Sequence, residues 1–581
     1  MAAARRRREK RLPGAAPMRP RWRLIVVSLA AAAALAAAGW AVRAPLRRWQ
    51  VERQYEKAQE LAAQGEEAAA ASALAGVLQR DPAHPAARRA LAGVELRRGR
   101  IEQAFLHLVS YTELAPEDAW GFIELADLEA NVGQPIDAEA ALGHALEAEP
   151  SRPRLFARRA ELRLRLGRFR GALADAESAV RQDSHDVEGW IALCRATSRL
   201  RGRAAADEAL RKAIAAAGAD PRLVSLSQKA PPAEPPHPPS RRARPGQAEN
   251  WPGDLGETVR RFLDCVHRGD WSGAHAVVRS AREKYPGTMF APWLEGIADL
   301  AEGLLPQAEE SLLGALAVSP RSHRVITNLI GVWSRQRGPG YTAERLSRLS
   351  EEDPSFTYPV PIAAHAWLEG SQPAKAEATV RRLFTLLPGS PVPDREMADF
   401  FLAVDRASDA LSTCESGLLK FPRDPELETL LARAALLLGD RERAAQAYED
   451  AVAARPDAQV PAAQLARLLA ARKDEASRAR ALALVHELSL DQPSDPEVLA
   501  AIGAVLLDPG GDAASARLWL EAARQAAPDE PGVRYQLALA YARSGEKALA
   551  REELGAALRS GKAFPEESDA RRLSIELGTR P

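Results

Sequence analysis

Asp264, Cys265 and His267 lie within four residues of one another, and His275 follows eight residues later. A thiol beside an imidazole and a carboxylate is the set that a cysteine nucleophile or a bound metal ion would use. The rest of the chain gives that chemistry no support. It contains no GxSxG, no Walker A sequence, no HExxH and no glycine-rich loop following a strand. The three cysteines, Cys194, Cys265 and Cys414, are far apart and form no CxxC, so they make neither a disulfide framework nor a metal site. Other acids and bases are scattered at helical-surface spacing. The sequence predicts no catalytic residue, no metal, no cofactor and no enzyme.

Residues that could bind rather than react are easier to find. Arg97, Asn131, Arg165 and Arg199 are each 34 residues apart. If equal units stack, three arginines fall along one line suited to an acidic peptide or an anionic polymer. The competing reading is a row of solvated charges at helix C-termini, where the macrodipole favours arginine. Asp127 and Glu161 on the same helices dilute the positive field. Among the tryptophans, Trp190, Trp293, Trp333 and Trp367 read as core, while Trp120 is the candidate for an exposed aromatic.

These positions are set by an internal period. Prolines that close helical segments fall at Pro82, Pro116 and Pro150, and again at Pro286, Pro320, Pro354, Pro388, Pro422 and Pro456, each 34 residues apart within its series. Ser184 takes the slot after Pro150. Twelve residues before these positions stand Ala70, Ala104, Ala138, Ala172, Ala274, Ala308, Thr342, Ala376, Ala410 and Ala444. Only Thr342 breaks the alanine column, which composition alone does not produce. Gly65, Gly99, Gly133, Gly167, Gly269, Gly303 and Gly439 lie seventeen before the closing position, where a turn between two helices needs freedom from Cβ strain. Ala145, Ala179, Ala281, Ala315 and Ala451 lie five before it.

The pattern resembles the tetratricopeptide repeat. Residues 425–458 carry it in Leu431, Ala432, Gly439, Ala444, Tyr448, Ala451 and Pro456, and residues 531–564 add Tyr541, Gly545, Ala550 and Ala557 in register. The resemblance implies an all-α, right-handed α-solenoid of helix-turn-helix repeats, whose concave face is lined by the first helix of each pair and receives a peptide or a helix. About five repeats are expected over 51–220 and about nine over 255–564, with two loosened later units, since Pro456 to Pro493 is 37 residues and Pro493 to Pro528 is 35, and a weak one at 323–356 where Gly338, Pro339 and Gly340 sit at the turn. Paired asparagines and lysines that would clamp a C-terminal carboxylate are not repeated, since Asn131 and Asn328 stand alone. Residues 565–581 read as a polar cap. The proline-rich stretch at 221–254 reads as a linker that uncouples the two arrays, or as an eroded repeat.

Composition agrees with helix. Alanine, leucine, arginine and glutamate dominate and aromatics make up only 5%, so little is available to build a sheet. A formal net charge of +1 gives the whole chain no electrostatic case for nucleic acid. The basic excess is local. Residues 1–23 hold nine arginines and lysines against Glu9, and Leu24–Val42 follows without a charge. Nineteen residues at ~1.5 Å rise span ~28 Å, about the hydrocarbon thickness of a bilayer. Trp22 and Trp40 flank the segment as interfacial indoles would. The prediction is one transmembrane helix at 24–42 with the 1–23 tail cytoplasmic and the remainder exported. A signal peptide cleaved near Ala36–Ala38 and a buried soluble helix are the competing readings.

The expected function is a non-catalytic scaffold on the inner membrane that binds protein or peptide partners and no nucleic acid, as a monomer or a homo-oligomer. The alternatives are an accessory subunit of an envelope export or polysaccharide-secretion machine, and a cytoplasmic-facing adaptor if the topology is reversed. The C-terminus lacks alternating ten-residue strands, so no barrel is expected on this chain.

Overall fold

Small residues at fixed intervals allow helices to close on one another, and the computed structural model shows where. It describes residues 48–578 apart from 132–133, 219, 225, 227–252, 473, 492, 509–511, 563 and 565, and all regular elements among them are helices. The basic tail, the predicted span at 24–42, Gly133 and nearly all of the proline-rich stretch lie outside the described residues. No helix among those described is long and apolar enough to cross a membrane.

The chain divides into two compact units, Met1–Arg98 and Gly99–Pro581. In the first, α1 (48–63), α2 (Glu67–Arg80) and α3 (Pro85–Arg97) enclose a core that includes Ala58, Ala70, Leu74, Val77 and Leu91.

The second unit opens with α4 (Ile101–Leu114). The pairs α5 (Ala119–Asn131) with α6 (Pro135–Ala148), α7 (Pro153–Arg165) with α8 (Phe169–Gln182), and α9 (Val187–Arg201) with α10 (Arg203–Ala217) follow, then the short α11 (Pro221–Val224). After the proline-rich stretch come α12 (Gly253–Arg268) with α13 (Trp271–Lys284), and α14 (Phe290–Glu302) with α15 (Leu305–Val318). The long α16 (His323–Glu352) is two helices in one assignment, broken at Gly338 (φ 81°, ψ 176°). That break is the turn expected at 338–340. Next stand α17 (Pro359–Glu369) with α18 (Pro373–Arg381) and the one-turn α19 (Leu383–Leu386), then α20 (Val392–Ala403) with α21 (Ala407–Lys420). The array ends with α22 (Pro425–Leu437) and α23 (Arg441–Ala454), α24 (Gln459–Ala470) and α25 (Glu475–Leu490), α26 (Pro496–Leu507) and α27 (Ala513–Ala526), and α28 (Pro531–Arg543) and α29 (Lys547–Arg559). The last helix, α30 (Glu567–Glu576), packs on α29 through buried Ala570 and Ser574, so the charged C-terminal stretch carries an apolar seam.

The alanine column explains the pairing. Ala104, Ala138, Ala172, Ala274, Ala308, Ala376, Ala410 and Ala444 are each the fourth residue of the second helix of a pair, and each is fully buried. A side chain no larger than a methyl group lets that helix settle on its partner at these positions, since added methylenes in a filled core cost about 1–3 kcal/mol. Thr342 fits because its Oγ1 donates to the Gly338 carbonyl and meets Ser334 Oγ at 3.0 Å. Glycine supplies the left-handed turn between the helices at Gly167, Gly269, Gly303, Gly439 and Gly545, with φ between 70° and 89°. In the same register, Ser371 (φ 56°) and Asp405 (φ 57°) adopt that conformation without glycine.

A proline-rich connection predicts uncoupled arrays, and here the structure differs. Within Gly99–Pro581 the helices before the connection touch those after it at two places. Near the start, α4 packs against α12, Ser319 Oγ lies 3.0 Å from Ser110 Oγ, and Arg321 Nη1 donates to the Leu114 carbonyl at 3.2 Å. Further along, α8 packs against α25, Arg163 Nη2 reaches Asp457 at 2.9 Å, and the Arg170 amide donates to Asp491 Oδ1 at 3.1 Å. The physical reason is on α4, which buries ten of its fourteen residues and therefore has no face left to offer water.

Candidate binding surface

Where helix pairs stack, the same surface position recurs every 34 residues, and side chains on successive first helices meet. Two such columns are visible. On α5, α7 and α9, Asp127, Glu161 and Arg195 follow one another, with Arg195 Nη1 donating to Glu161 Oε2 at 3.0 Å and Arg158 paired with Asp127. On α17, α20 and α22, His365 Nε2 lies 3.8 Å from Asp399 Oδ2, and Arg433 Nη1 lies 3.3 Å from Asp399 Oδ1. The second column is open to solvent: the side chains of His365, Asp399 and Arg433 are 60%, 36% and 52% exposed.

Beside it, burial raises the carboxyl of Glu396 above its ordinary range. The charge of Asp399 adds to that, while His365 and Arg395 oppose it. Burial also pushes Glu428 up to about 7, with Asp450 and Asp424 contributing. A mixed row of acid, base and imidazole like this can match a polar peptide by charge register.

The residues singled out from the sequence are placed as follows. In the first unit, Arg97 is exposed at the end of α3, with its Nε 3.1 Å from Glu67 Oε1. Asn131 is exposed at the end of α5. Arg165 is exposed and reaches Glu161 at 3.5 Å. The guanidinium of Arg199, also exposed, lies 5.8 Å from the Phe169 ring centre. Each of the three arginines thus has a partner of its own. Trp120 is half-buried and meets Tyr111 edge-on with ring centres 5.7 Å apart, while Asp118 accepts a hydrogen bond from its amide at 2.9 Å. Gly121 permits that approach, since a Cβ there would lie 2.6 Å from Tyr111 Cδ1. Trp190, Trp293, Trp333 and Trp367 are buried, as core tryptophans should be.

Around Cys265, His275 pairs with Glu302 at 3.7 Å and Asp264 approaches Arg268 at 4.0 Å. Among the described residues no cluster of three or more metal-ligating side chains occurs. Sequence reasoning missed His365, Asp399 and Arg433. The signal was the same 34-residue spacing followed at a position one helical turn away from the arginines.

No family model matches the chain, and no curated protein matches it. The chain is an all-α array of paired helices. Among solved structures it is similar to a chain of Naa15/Naa10 bound to HypK-THB, at 13% identity over 92% of this chain and 98% of that one, with a TM-score of 0.34. It is also similar to a chain of the APC/C hetero-tetramer Cut9–Hcn1, at 13% identity over 89% and 95%, with a TM-score of 0.35. A thermophilic TPR protein of Thermus thermophilus matches at 23% identity over 32% of this chain and 98% of its own, with a TM-score of 0.28. Superpositions this loose add nothing to the fold read from the chain's own helix pairs.

Proposed function

We propose that this protein is a non-catalytic scaffold of tetratricopeptide type that binds a polar, extended segment of a partner protein along the first helices of its second array. One observation carries the reading. The packing positions hold almost the same small residue in every unit, whereas the exposed column of His365, Asp399 and Arg433 changes chemistry at each step. A position that varies while its neighbours stay fixed is free to encode recognition, and stability does not need it. The reading extends to location. Residues 24–42 anchor the chain in the inner membrane, residues 1–23 stay in the cytoplasm, and both arrays lie on the far side, where tethering raises the effective concentration of weak contacts.

The test is site-specific photo-crosslinking in cells, with the reactive residue placed at 365, 399 or 433, and at Glu415 and Ser412 on the second helix α21 as controls. A discrete partner adduct from the first three positions and none from the controls supports the scaffold. Equal labelling from both sets removes the proposed face. Reporter fusions after residues 23 and 60 test the topology independently. A cytoplasmic signal after residue 60 would turn the same scaffold into a cytosolic adaptor.

A further inference from the structure

The helices from α4 to α11 touch the second array at two clusters that lie unequally far apart on its two sides. From Ser110 to Arg163 is about one and a half repeats of the first array, whereas their partners Ser319 and Asp457 are about four repeats apart on the second. Helices pack with axes about 8–10 Å apart, so four stacked pairs cover much more length than one and a half. The first array is therefore a short chord, and the second array must arch between its ends.

Both clusters are polar, and both bury carboxyl groups. At the first, Glu129 of α5 is 7% exposed and its Oε2 has no hydrogen-bond partner. It faces Asp137 of α6 and Arg324 at the start of α16, beside the exposed His323, which lies near His144. At the second, Asp491 is 6% exposed at the end of α25. It accepts the Arg170 amide, faces the Arg170 guanidinium and the Phe169 amide, and sits near Asp457. Arg170 also approaches Glu487 at 3.4 Å, and Arg163 holds Asp457 together with Glu139 and Asp175.

We propose that α4–α11 form a proton-sensitive clamp on the second array, held at the second cluster by the ion pairs of Arg163 and Arg170 and closed at the first while the buried Glu129 carboxyl is protonated, loosening there as it ionises. This goes beyond partner binding and does not depend on it. Desolvation pushes Asp491 up to about 6 and Glu129 up to about 8. A carboxyl whose value is raised on docking stabilises the docked form below its ordinary range, and that stabilisation is lost as pH rises through the raised value. Desolvation lowers the value of His323, so its effect has the opposite sign: it weakens docking as pH falls below about 6.5. Between pH 6.5 and 9 the group that decides is Glu129.

The experiment is a spin-label distance measurement on the full-length protein carrying Ser184→Cys and Ser408→Cys, both at exposed sites, with Cys265→Ser to remove the partly exposed native thiol. At pH 6.5 one distance is expected. At pH 9 a second, longer population should appear, with the docking equilibrium weakened on the order of tenfold. Glu129→Gln should hold the short distance at both pH values. Adding Ser110→Cys and Ser319→Cys, oxidised to a disulfide, should lock it there as well. An unchanged distribution between pH 6.5 and 9, or an identical response from Glu129→Gln, overturns the proposal. So does loss of the helical circular-dichroism signal in step with the distance change, since that would be unfolding.

Discussion

Helices α4 and α23 occupy the same place in their repeats and have the same length, yet α4 buries ten of fourteen residues and α23 buries five. Their registers differ by ten whole repeats, so positions can be compared one to one. Ala104 and Ala444 are both fully buried. On the outer face the two diverge. Leu106 and Ser110 of α4 are buried, whereas Gln446 and Asp450 of α23 are exposed. The comparison separates what a repeat needs for stacking from what is added when its back is covered. Small residues at the pair seam serve stacking, and an apolar outer face marks a second contact.

The largest test of that contrast is ionic. Arg163 is 10% exposed and is held by Glu139, Asp175 and Asp457, while Arg480 on α25 pairs with Glu449 at 52% exposure. Arg163→Ala leaves Asp457 without its cation, while Arg159 still holds Asp175 and Arg168 still holds Glu139, and should cost about 3 kcal/mol in urea unfolding. Arg480→Ala should cost less than about 1 kcal/mol. Similar losses from the two would mean that the covered and open faces do not differ energetically.

Next in size is the outer face itself. Leu106→Gln puts an amide where burial is nearly complete and should destabilise by about 2–3 kcal/mol. The reciprocal Gln446→Leu, on an exposed position, should stay within about 0.5 kcal/mol. Thermal unfolding of the two single variants reads both.

The smallest effect concerns the turns that both regions share. Asp405 holds φ 57° where Gly439, one repeat later, holds 83°. Asp405→Gly should raise stability by up to about 1 kcal/mol, and Gly439→Ala should lower it by about the same amount. If Asp405→Gly is destabilising, the aspartate contributes something there beyond the turn.

Much of this architecture was legible in the residues. Ala138, Ala172 and Ala444 announced the pair seam because only a small side chain fits there, and Gly167 and Gly303 announced the turn because only a positive φ closes it. The contact between the arrays was legible in principle and was not read. The sequence IEQAFLHLVSYTEL of α4 is apolar around most of its circumference, which marks a helix with no solvent face. Glu129, Asp491 and Arg163 could not be paired from sequence, because their partners lie in repeats hundreds of residues away and the period sets only neighbours. The column of His365, Asp399 and Arg433 was hidden for another reason: its chemistry changes at every step, so a search for recurring residue types passes over it.

Contacts within a stack join residues a few tens apart, but Ser110 meets a residue 209 positions later and Arg170 one 321 positions later. Local pairings of that kind form quickly, and distant ones wait. A ribosome adding about 5–20 residues per second needs on the order of tens of seconds to deliver Asp491 after Arg170. For the part of that interval before α12 and Ser319 emerge, α4 has α5 beside it, while the face they will cover is open. Such a nascent chain is a client for a chaperone, and a truncation that stops short of α12 would remain one for its whole lifetime.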